Sequence, residues 1–330
     1  MVETLFSYPF RIEKSQIKKV LVLKLDHLGD FVLSIDSIKL LQSIFPNTEE
    51  FSVACADYMV DFAKTLNVFD NIYPLTLVSD DGAICRTHPK ASWESQFDAI
   101  NTEWDLVVDL RAFPDHKEPI NKLKAKYKAY FSYGNESNPL VLQYSNFLNF
   151  HTNEKLLFLV HNLEYHVVDG FYPVNLPYIV CIAPFSKTPV KEVPMRVWEM
   201  VIEKLKEKPV KSIIGIGVNG DINKLQKLGV AVAPEMTKGG LVGFMNGITH
   251  FIGLDGGATH LASWMGVPTL EFMSGSVNTG EWRGCGTKTV VMMRPVYTRP
   301  CGRAFSCCNG ACMDFSESDI DKGLEILFNF

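Results

Sequence analysis

Long apolar runs are missing from this 330-residue chain. None approaches the roughly 18 residues that a membrane-spanning helix requires, so the expectation is a soluble protein. A secretory leader is missing too: the opening residues, MVETLFSYPFRIEKSQ, have no basic start, long apolar stretch or small-residue cleavage site, which predicts a cytoplasmic protein. Positive charge is not in excess. The formal net charge is −5, so electrostatics lend no support to a nucleic-acid partner. Cysteine, at eight residues, is too sparse for a disulfide scaffold. Four of the eight crowd into CGRAFSCCNGAC, as Cys301, Cys307, Cys308 and Cys312. Adjacent cysteines cannot readily share one metal and no Cys-x-x-Cys pairing is present, so packed or incidental thiols are the expectation there and a metal the alternative. Short repeats and low-complexity tracts are absent as well.

What is there is globular: 47% hydrophobic and 21% charged residues, in a length that suits two domains of about 150 residues each. Strand-like and helix-like patterns alternate throughout. KKVLVLKL is a short apolar run; Phe31, Ile35, Ile38, Leu41 and Phe45 then recur at helical spacing until Pro46. FSVAC predicts a second strand, Asp57 a cap for a helix through residue 67, and DLVVDL a later buried strand. Two prolines in FYPVNLP interrupt the pattern, which begins again with YIVCIAP. This sets the domains at residues 1–172 and 173–330. VKSIIGIGV, GVAVAP, THFIGLD and VPTLEFM read as strands of the second domain, with PMRVWEMVIEKL a Pro-started helix. The fold class is α/β: tandem domains with parallel sheets whose strand C-terminal ends face a cleft, where open α/β sheets bind ligands.

Four stretches carry chemistry. In KLDHLGD, Gly29 lets the backbone turn between strand and helix. Asp30 either caps the helix or stands as a carboxylate able to accept a proton from a hydroxyl, with Asp26 and His27 as acceptor-side or base-positioning neighbours. In FIGLDGGATHLASWMGVPTLEF, a strand ends at Asp255, and the bare amides of Gly256, Gly257 and Ala258 form either a tight turn or a diphosphate cradle. His260 in the next turn is expected to be neutral, because the positive helix end lowers its pKa. In APFSKTPVKEVPMRVW, Ser186, Lys187, Thr188 and Lys191 offer hydroxyls and point charges suited to a leaving phosphate. Gly215, Gly217 and Gly220 spell G-x-G-x-x-G, but in the second domain before a short helix. A nicotinamide-dependent dehydrogenase would carry that fingerprint in the first domain, where KLDHLGD has one glycine. The lysines of HKEPINKLKAKYKAY (Lys117, Lys122, Lys124, Lys126 and Lys128) read either as a solvated helix face or as a surface for an anionic acceptor or membrane.

Taken in order, KLDHLGDFVLSIDSIKLLQSIFP, SKTPVKEVPMRVW, FIGLDGGATHLASWMGVPTLEFM with Trp282 beyond it, and the cysteine-rich tail into CMDFSESDI resemble the heptosyltransferases of glycosyltransferase family 9. The resemblance implies a GT-B fold, with two Rossmann-like domains facing a central cleft, the acceptor bound on residues 1–172 and the nucleotide sugar on 173–330. It implies inverting transfer from an ADP-sugar with no cofactor and no required metal. Asp30 matches the family's catalytic base, Lys191 its phosphate-binding lysine, and Asp255, Gly257 and His260 its Asp-Ser/Thr-Gly-x-x-His donor motif. Met236 falls where the family packs a residue against adenine. Three positions depart from the family pattern: Gly256 stands for Ser or Thr, Val193 for tryptophan, and Asp36 for proline. The implied partners are a nucleotide sugar and an anionic glycolipid such as lipopolysaccharide core, with peripheral contact at the cytoplasmic face of the inner membrane. Transfer to a protein acceptor and noncatalytic binding of a nucleotide sugar are the alternatives.

Overall fold

The computed structural model describes residues 14–76, 87–88, 91–111, 117–130, 177–217, 221–296, 300–301 and 310–330. Contacts within the chain separate into two compact units. In the first, β1 (Lys19–Lys24), β2 (Glu50–Ala56), β3 (Asn71–Leu75), β4 (Trp104–Asp109) and β5 (Ala125–Tyr130) form one sheet. Its order is β3-β2-β1-β4-β5 and every pairing is parallel. Strand β1 is buried at every position after Lys19, as expected of a central parallel strand covered on both faces. Helix α1 (Leu28–Ile44) lays Phe31, Ile35, Ile38 and Leu41 against the sheet and ends at Phe45, where the following Pro46 disfavours another helical residue.

The second unit holds β6 (Tyr178–Ala183), β7 (Val210–Gly215), β8 (Ala231–Val232), β9 (His250–Leu254), β10 (Thr269–Phe272) and β11 (Thr289–Met292). They are all parallel, in the order β8-β7-β6-β9-β10-β11. Counted along the chain this is 3-2-1-4-5-6, the doubly wound order whose ligand crevice opens where strand order reverses, between the first and fourth strands. Helix α2 (Met195–Lys206) buries Val197, Trp198, Val201, Ile202 and Leu205. Trp198 meets Phe272 edge to face at 5.5 Å, and Phe272 meets Phe315 at 5.1 Å. Each fully buried side chain of this size contributes about 1.5–3 kcal/mol, so this aromatic column is a major part of the core. Helix α3 (Gly257–Trp264) follows β9, and α4 (Glu317–Leu327) closes the unit, its start fixed by a reciprocal Ser316–Asp319 capping box.

Three expectations are corrected here. Asp57 does not cap an α-helix: it opens a short 3₁₀ turn, Asp57–Met59, whose N-cap is Ala56, and the α-helix behind it runs only over Val60–Thr65. The Lys-rich stretch is not one helix face. It divides into a helix over Lys117–Lys122 and strand β5, and Lys128 is buried with its ammonium donating to the Asn121 carbonyl at 2.7 Å. Burial holds the Lys128 pKa below its ordinary value. Lys122, Lys124 and Lys126 are exposed. Pro194, expected inside the first helical turn, is the N-cap of α2. The domain boundary at 172–173 and most of the 80–170 region lie outside the described residues, as do Cys307, Cys308 and Gly220. Among the described residues, no helix is long and apolar enough to cross a membrane.

Candidate functional site

In the first sheet, strand order reverses between β1 and β4, and the residues just beyond these two strands form a buried charge network. The Lys24 ammonium, fully buried, donates to Asp26 Oδ2 at 2.6 Å and to the Leu110 carbonyl at 2.9 Å. Arg111 approaches from beyond β4 and donates from its guanidinium to Asp26 Oδ1 at 2.9 Å, while its backbone N–H donates to Asp109 Oδ1 at 3.1 Å. Both oxygens of Asp26 are therefore engaged by cations, and Asp26 is itself only 4% exposed. This makes Asp26 the internal counter-charge of the turn.

His27 is the N-cap residue of α1, without a side-chain cap bond, and its Nδ1 lies 2.7 Å from the Tyr58 hydroxyl beyond β2. The cap position expected for Asp30 thus belongs to His27. Asp30 is the third residue of the helix, in the first turn and partly exposed. A carboxylate in that turn faces the positive end of the helix.

In the second sheet, strand order reverses between β6 and β9, and the loops after these two strands bring Lys191, Asp255 and His260 together. Lys191 Nζ is 2.7 Å from Asp255 Oδ2 in an ion pair without the alignment of a hydrogen bond. On the other side of the same carboxylate, His260 Nε2 lies 3.4 Å from Oδ1. The Thr259 hydroxyl donates to the Leu254 carbonyl at 2.5 Å, which fixes the turn from β9 into α3 and so the position of His260. A Cβ on Gly253 would come within 2.6 Å of that same hydroxyl, so glycine is required for this close approach of strand and helix. Gly256 is different. Its φ is 175°, ordinary extended backbone, and an added Cβ would meet only the Leu254 carbonyl at 3.9 Å, so the geometry does not demand glycine there.

A fourth charged residue joins this cluster, and the sequence reading had passed over it. Glu271, in the middle of β10, is fully buried and accepts the Gly284 N–H on Oε2 at 2.8 Å. One ligand-type atom from each of Asp255, His260 and Glu271 lies within 4.8 Å of the others, a spacing that a metal ion could use. The Lys191 ammonium against Asp255, however, supplies the positive charge a metal would bring. The arrangement therefore fits an internal ion network. Burial pushes the Asp255 pKa up, but the His260 hydrogen bond and the Lys191 charge outweigh it and hold the carboxyl below its ordinary range. Burial alone would depress His260, yet its hydrogen bond to Asp255 and the charges of Glu271 and Asp255 leave its pKa raised. The expected lowering of the His260 pKa is corrected: the two carboxylates outweigh the helix end. Burial lifts Glu271 to about 7.

The other donor-side residues lie on these loops. The Ser186 N–H donates to Glu192 Oε1 at 3.0 Å and its hydroxyl accepts the Thr188 N–H at 3.1 Å, while the Thr188 carbonyl accepts the Lys191 N–H at 3.0 Å. These bonds fold the loop back on itself so that Lys191 reaches Asp255. Lys187 is exposed, Gly257 opens α3, and Met236 is partly exposed in the loop after β8. Val193, where the family pattern has tryptophan, packs into the core with Trp198. Gly215 is needed for packing, since a Cβ there would meet Leu225 at 2.4 Å, and the helix that follows spans only Ile222–Lys227. Of the cysteine cluster, Cys312 is buried and Cys301 partly so. Lys24, Arg111 and Glu271 were missed because each is a lone charge in or beside an apolar strand. That oddity was the available signal.

Residues 143–307 match the family model described as glycosyltransferase family 9 (heptosyltransferase). No curated protein matches the sequence. Among solved structures, the glycosyl transferase family 9 protein of Veillonella parvula DSM 2008 is similar with a TM-score of 0.76 at 14% identity, covering 98% of this chain and 100% of that one. E. coli heptosyltransferase WaaC with ADP gives 0.71 at 14% identity, over 93% and 99% of the two chains. The dodecameric iron-containing heptosyltransferase TibC of enterotoxigenic E. coli H10407, in complex with ADP-D-beta-D-heptose, gives 0.56 at 12% identity, over 97% and 78%. At these identities the likeness establishes the fold, GT-B, which the two parallel sheets share. Half of the sequence answers to the family's own model and nearly all of it to the fold of the family's solved members, so the chain belongs to glycosyltransferase family 9.

Proposed function

We propose that this family 9 glycosyltransferase is an inverting enzyme that moves a heptose or a related sugar from an ADP-sugar to a hydroxyl of a lipopolysaccharide core or another surface-glycan acceptor. One observation carries the reading: Lys191 and His260 converge on the buried Asp255 at the point of strand-order reversal, directly before the open amides of α3. Cations beside a helix N-terminus make a site for a diphosphate. Asp255 holds both cationic side chains in place. The Lys191 side chain keeps 21% of its surface exposed and so remains able to reach a ligand.

In this reading Asp30 takes the proton of the acceptor hydroxyl as that oxygen bonds to the sugar's anomeric carbon from the face opposite the diphosphate. The bond from the same carbon to the phosphate oxygen breaks, its electron pair leaves with ADP, and the configuration inverts. Lys191 and the α3 amides stabilise the charge that grows on the departing diphosphate. Met236 is assigned to the adenine, Ser186, Lys187 and Thr188 to the donor phosphates or sugar, and His27 to the acceptor. The step uses no nucleophilic residue, cofactor or metal. An anionic acceptor at the inner membrane surface accords with the exposed Lys122, Lys124 and Lys126.

The test is a thermal-shift screen of ADP-, UDP- and GDP-sugars, followed by turnover of the best donor and analysis of the product's anomeric configuration. ADP-heptose should give the largest shift and an inverted product. Asp30→Asn should lower kcat by about 100-fold or more with donor affinity kept. Full activity in that variant would remove Asp30 as the base, and a retained configuration would refute inversion.

A further inference from the structure

We propose that Glu271 is a positioning residue that holds His260 in its doubly protonated form beside Asp255 and Lys191, giving the donor site a second fixed cation. This deepens the diphosphate reading above and rests on it for its functional meaning. Its physical core is independent of it.

The argument is one of charge balance in a buried place. Asp255 is nearly inaccessible and already faces the Lys191 ammonium at 2.7 Å. A single carboxylate so neutralised cannot by itself support a second buried cation, because taking an ion out of water costs several kcal/mol. A second carboxylate resolves this. Glu271 enters from β10, the strand next to β9, where it lies opposite Gly253 in the register. Its carboxyl shares the 4.8 Å cluster with Asp255 and His260. With both carboxylates ionised and both Lys191 and His260 charged, the four groups sum to zero.

The hydrogen-bond inventory points the same way. Three buried atoms of the cluster have no hydrogen-bond partner: Oδ2 of Asp255, which has the Lys191 ammonium beside it, Nδ1 of His260 and Oε1 of Glu271. An unmet buried polar atom costs about 1–3 kcal/mol, so the cluster is not satisfied by its own neutral hydrogen bonds and charge must account for it. An imidazolium carries a proton on each ring nitrogen: the one on Nε2 faces Asp255, and Glu271 brings the second carboxylate charge to the same cluster. Glu271 Oε2 is anchored by the Gly284 N–H, so the acid is held in place whether or not a ligand is bound. The charged groups that act on the imidazole are Asp255 at the end of β9, Glu271 on β10 and Lys191 on the 3₁₀ turn Pro189–Lys191. Helix α3 itself, GATHLASW, carries no other ionisable side chain. The raised His260 pKa accords with this balance, and Glu271, lifted by burial to about 7, supplies its negative charge from neutral pH upward.

The experiment follows the ring nitrogens directly. In the full-length protein with ¹⁵N-labelled histidine, the His260 signals are identified by their loss in H260Q, and their titration is followed in the wild type, E271Q and E271D. Glu271→Gln keeps the side-chain shape and the bond to Gly284 while removing the charge. His260 is expected to be doubly protonated at pH 7.5 in the wild type, to lose at least ~1 pKa unit in E271Q, and to recover part of it in E271D. In parallel, ADP binding measured from pH 6 to 9 should weaken as His260 deprotonates, at lower pH in E271Q than in the wild type. A His260 that is neutral in the wild type, or that titrates alike in E271Q, overturns the proposal, and the wild-type spectrum alone decides this if the variants fold poorly. A stoichiometric metal retained by the wild type through purification and lost in E271Q also overturns it, since the three groups would then be ligands. Failure of ADP to bind, with the histidine titration as expected, would count against the diphosphate reading and leave the role of Glu271 standing.

Discussion

Asp26 and Asp255 occupy equivalent places, each just past the C-terminal end of a central parallel strand where strand order reverses, yet they are treated differently. Asp26 is saturated: Lys24 takes one oxygen and Arg111 the other, at 2.6 and 2.9 Å, and the network is closed from within. Asp255 has one close cation, Lys191, and a longer approach from His260 at 3.4 Å, with unpartnered nitrogen and oxygen left in the same cluster. The first arrangement stiffens a turn. The second is incompletely satisfied, which is how a site built to receive charge differs from one built to hide it. Fold topology locates both positions, and only the hydrogen-bond inventory tells them apart.

The comparison can be broken most forcefully at Asp26. Asp26→Ala removes the carboxylate 2.6 Å from the fully buried Lys24 ammonium, and chemical denaturation should show a loss of about 3–5 kcal/mol, or failure to fold. Lys191→Met should do the reverse, with a modest stability change but a fall in kcat/KM of about 100-fold or more, measured with the best donor. If both substitutions act chiefly on stability, the two carboxylates are alike and the distinction fails. The pH dependence sharpens it further. Glu271 and His260 both have folded pKa values above their ordinary ones, so the folded state binds the extra protons. Their contribution is complete below the unfolded values and is lost as pH rises, for Glu271 between about 4.5 and 7 and for His260 through its raised value. Asp255, depressed, loses its contribution only as pH falls through its lowered value. Denaturation curves from pH 5 to 8 should therefore show Glu271→Gln gaining on the wild type by up to about 3 kcal/mol as pH rises. The smallest effect is expected at Gly256: Ser is sterically free to enter as the N-cap of α3, and Gly256→Ser should raise stability by a few tenths of a kcal/mol, with Tm as the measure.

Much of this architecture was legible in the sequence because parallel strands announce themselves as unbroken apolar runs. KKVLVLKL, FSVAC, THFIGLD and VPTLEFM all proved to be strands, and the glycines and prolines between them marked the turns. Asp255 and His260 could be nominated from strand-end position, and Lys191 from its loop together with the family resemblance. What was illegible depends on partners remote in sequence. Lys24 looks like a surface lysine until the Leu110 carbonyl, 86 residues away, is seen to meet its ammonium. β5 hid behind its alternating lysines. His260 was misjudged for the same reason, since a helix-end rule is local while Glu271 arrives from the neighbouring strand. A lone Glu in the middle of VPTLEFM was a visible clue to that partner.

The Lys24 ammonium also bears on how the first unit comes into being. One of its bonds is to the Leu110 carbonyl, 86 residues further along the chain. Until that later segment has docked, burying β1 would leave the Lys24 ammonium, paired only locally with Asp26, short of its carbonyl acceptor, so the strand at the centre of the sheet gains less from early collapse. Completion of the first unit is thereby tied to the arrival of β4, both on the ribosome and during refolding. Such dependence on distant pairing slows folding and leaves β1, one of the most apolar stretches of the protein, reliant on hydration to stay out of aggregates in the interval.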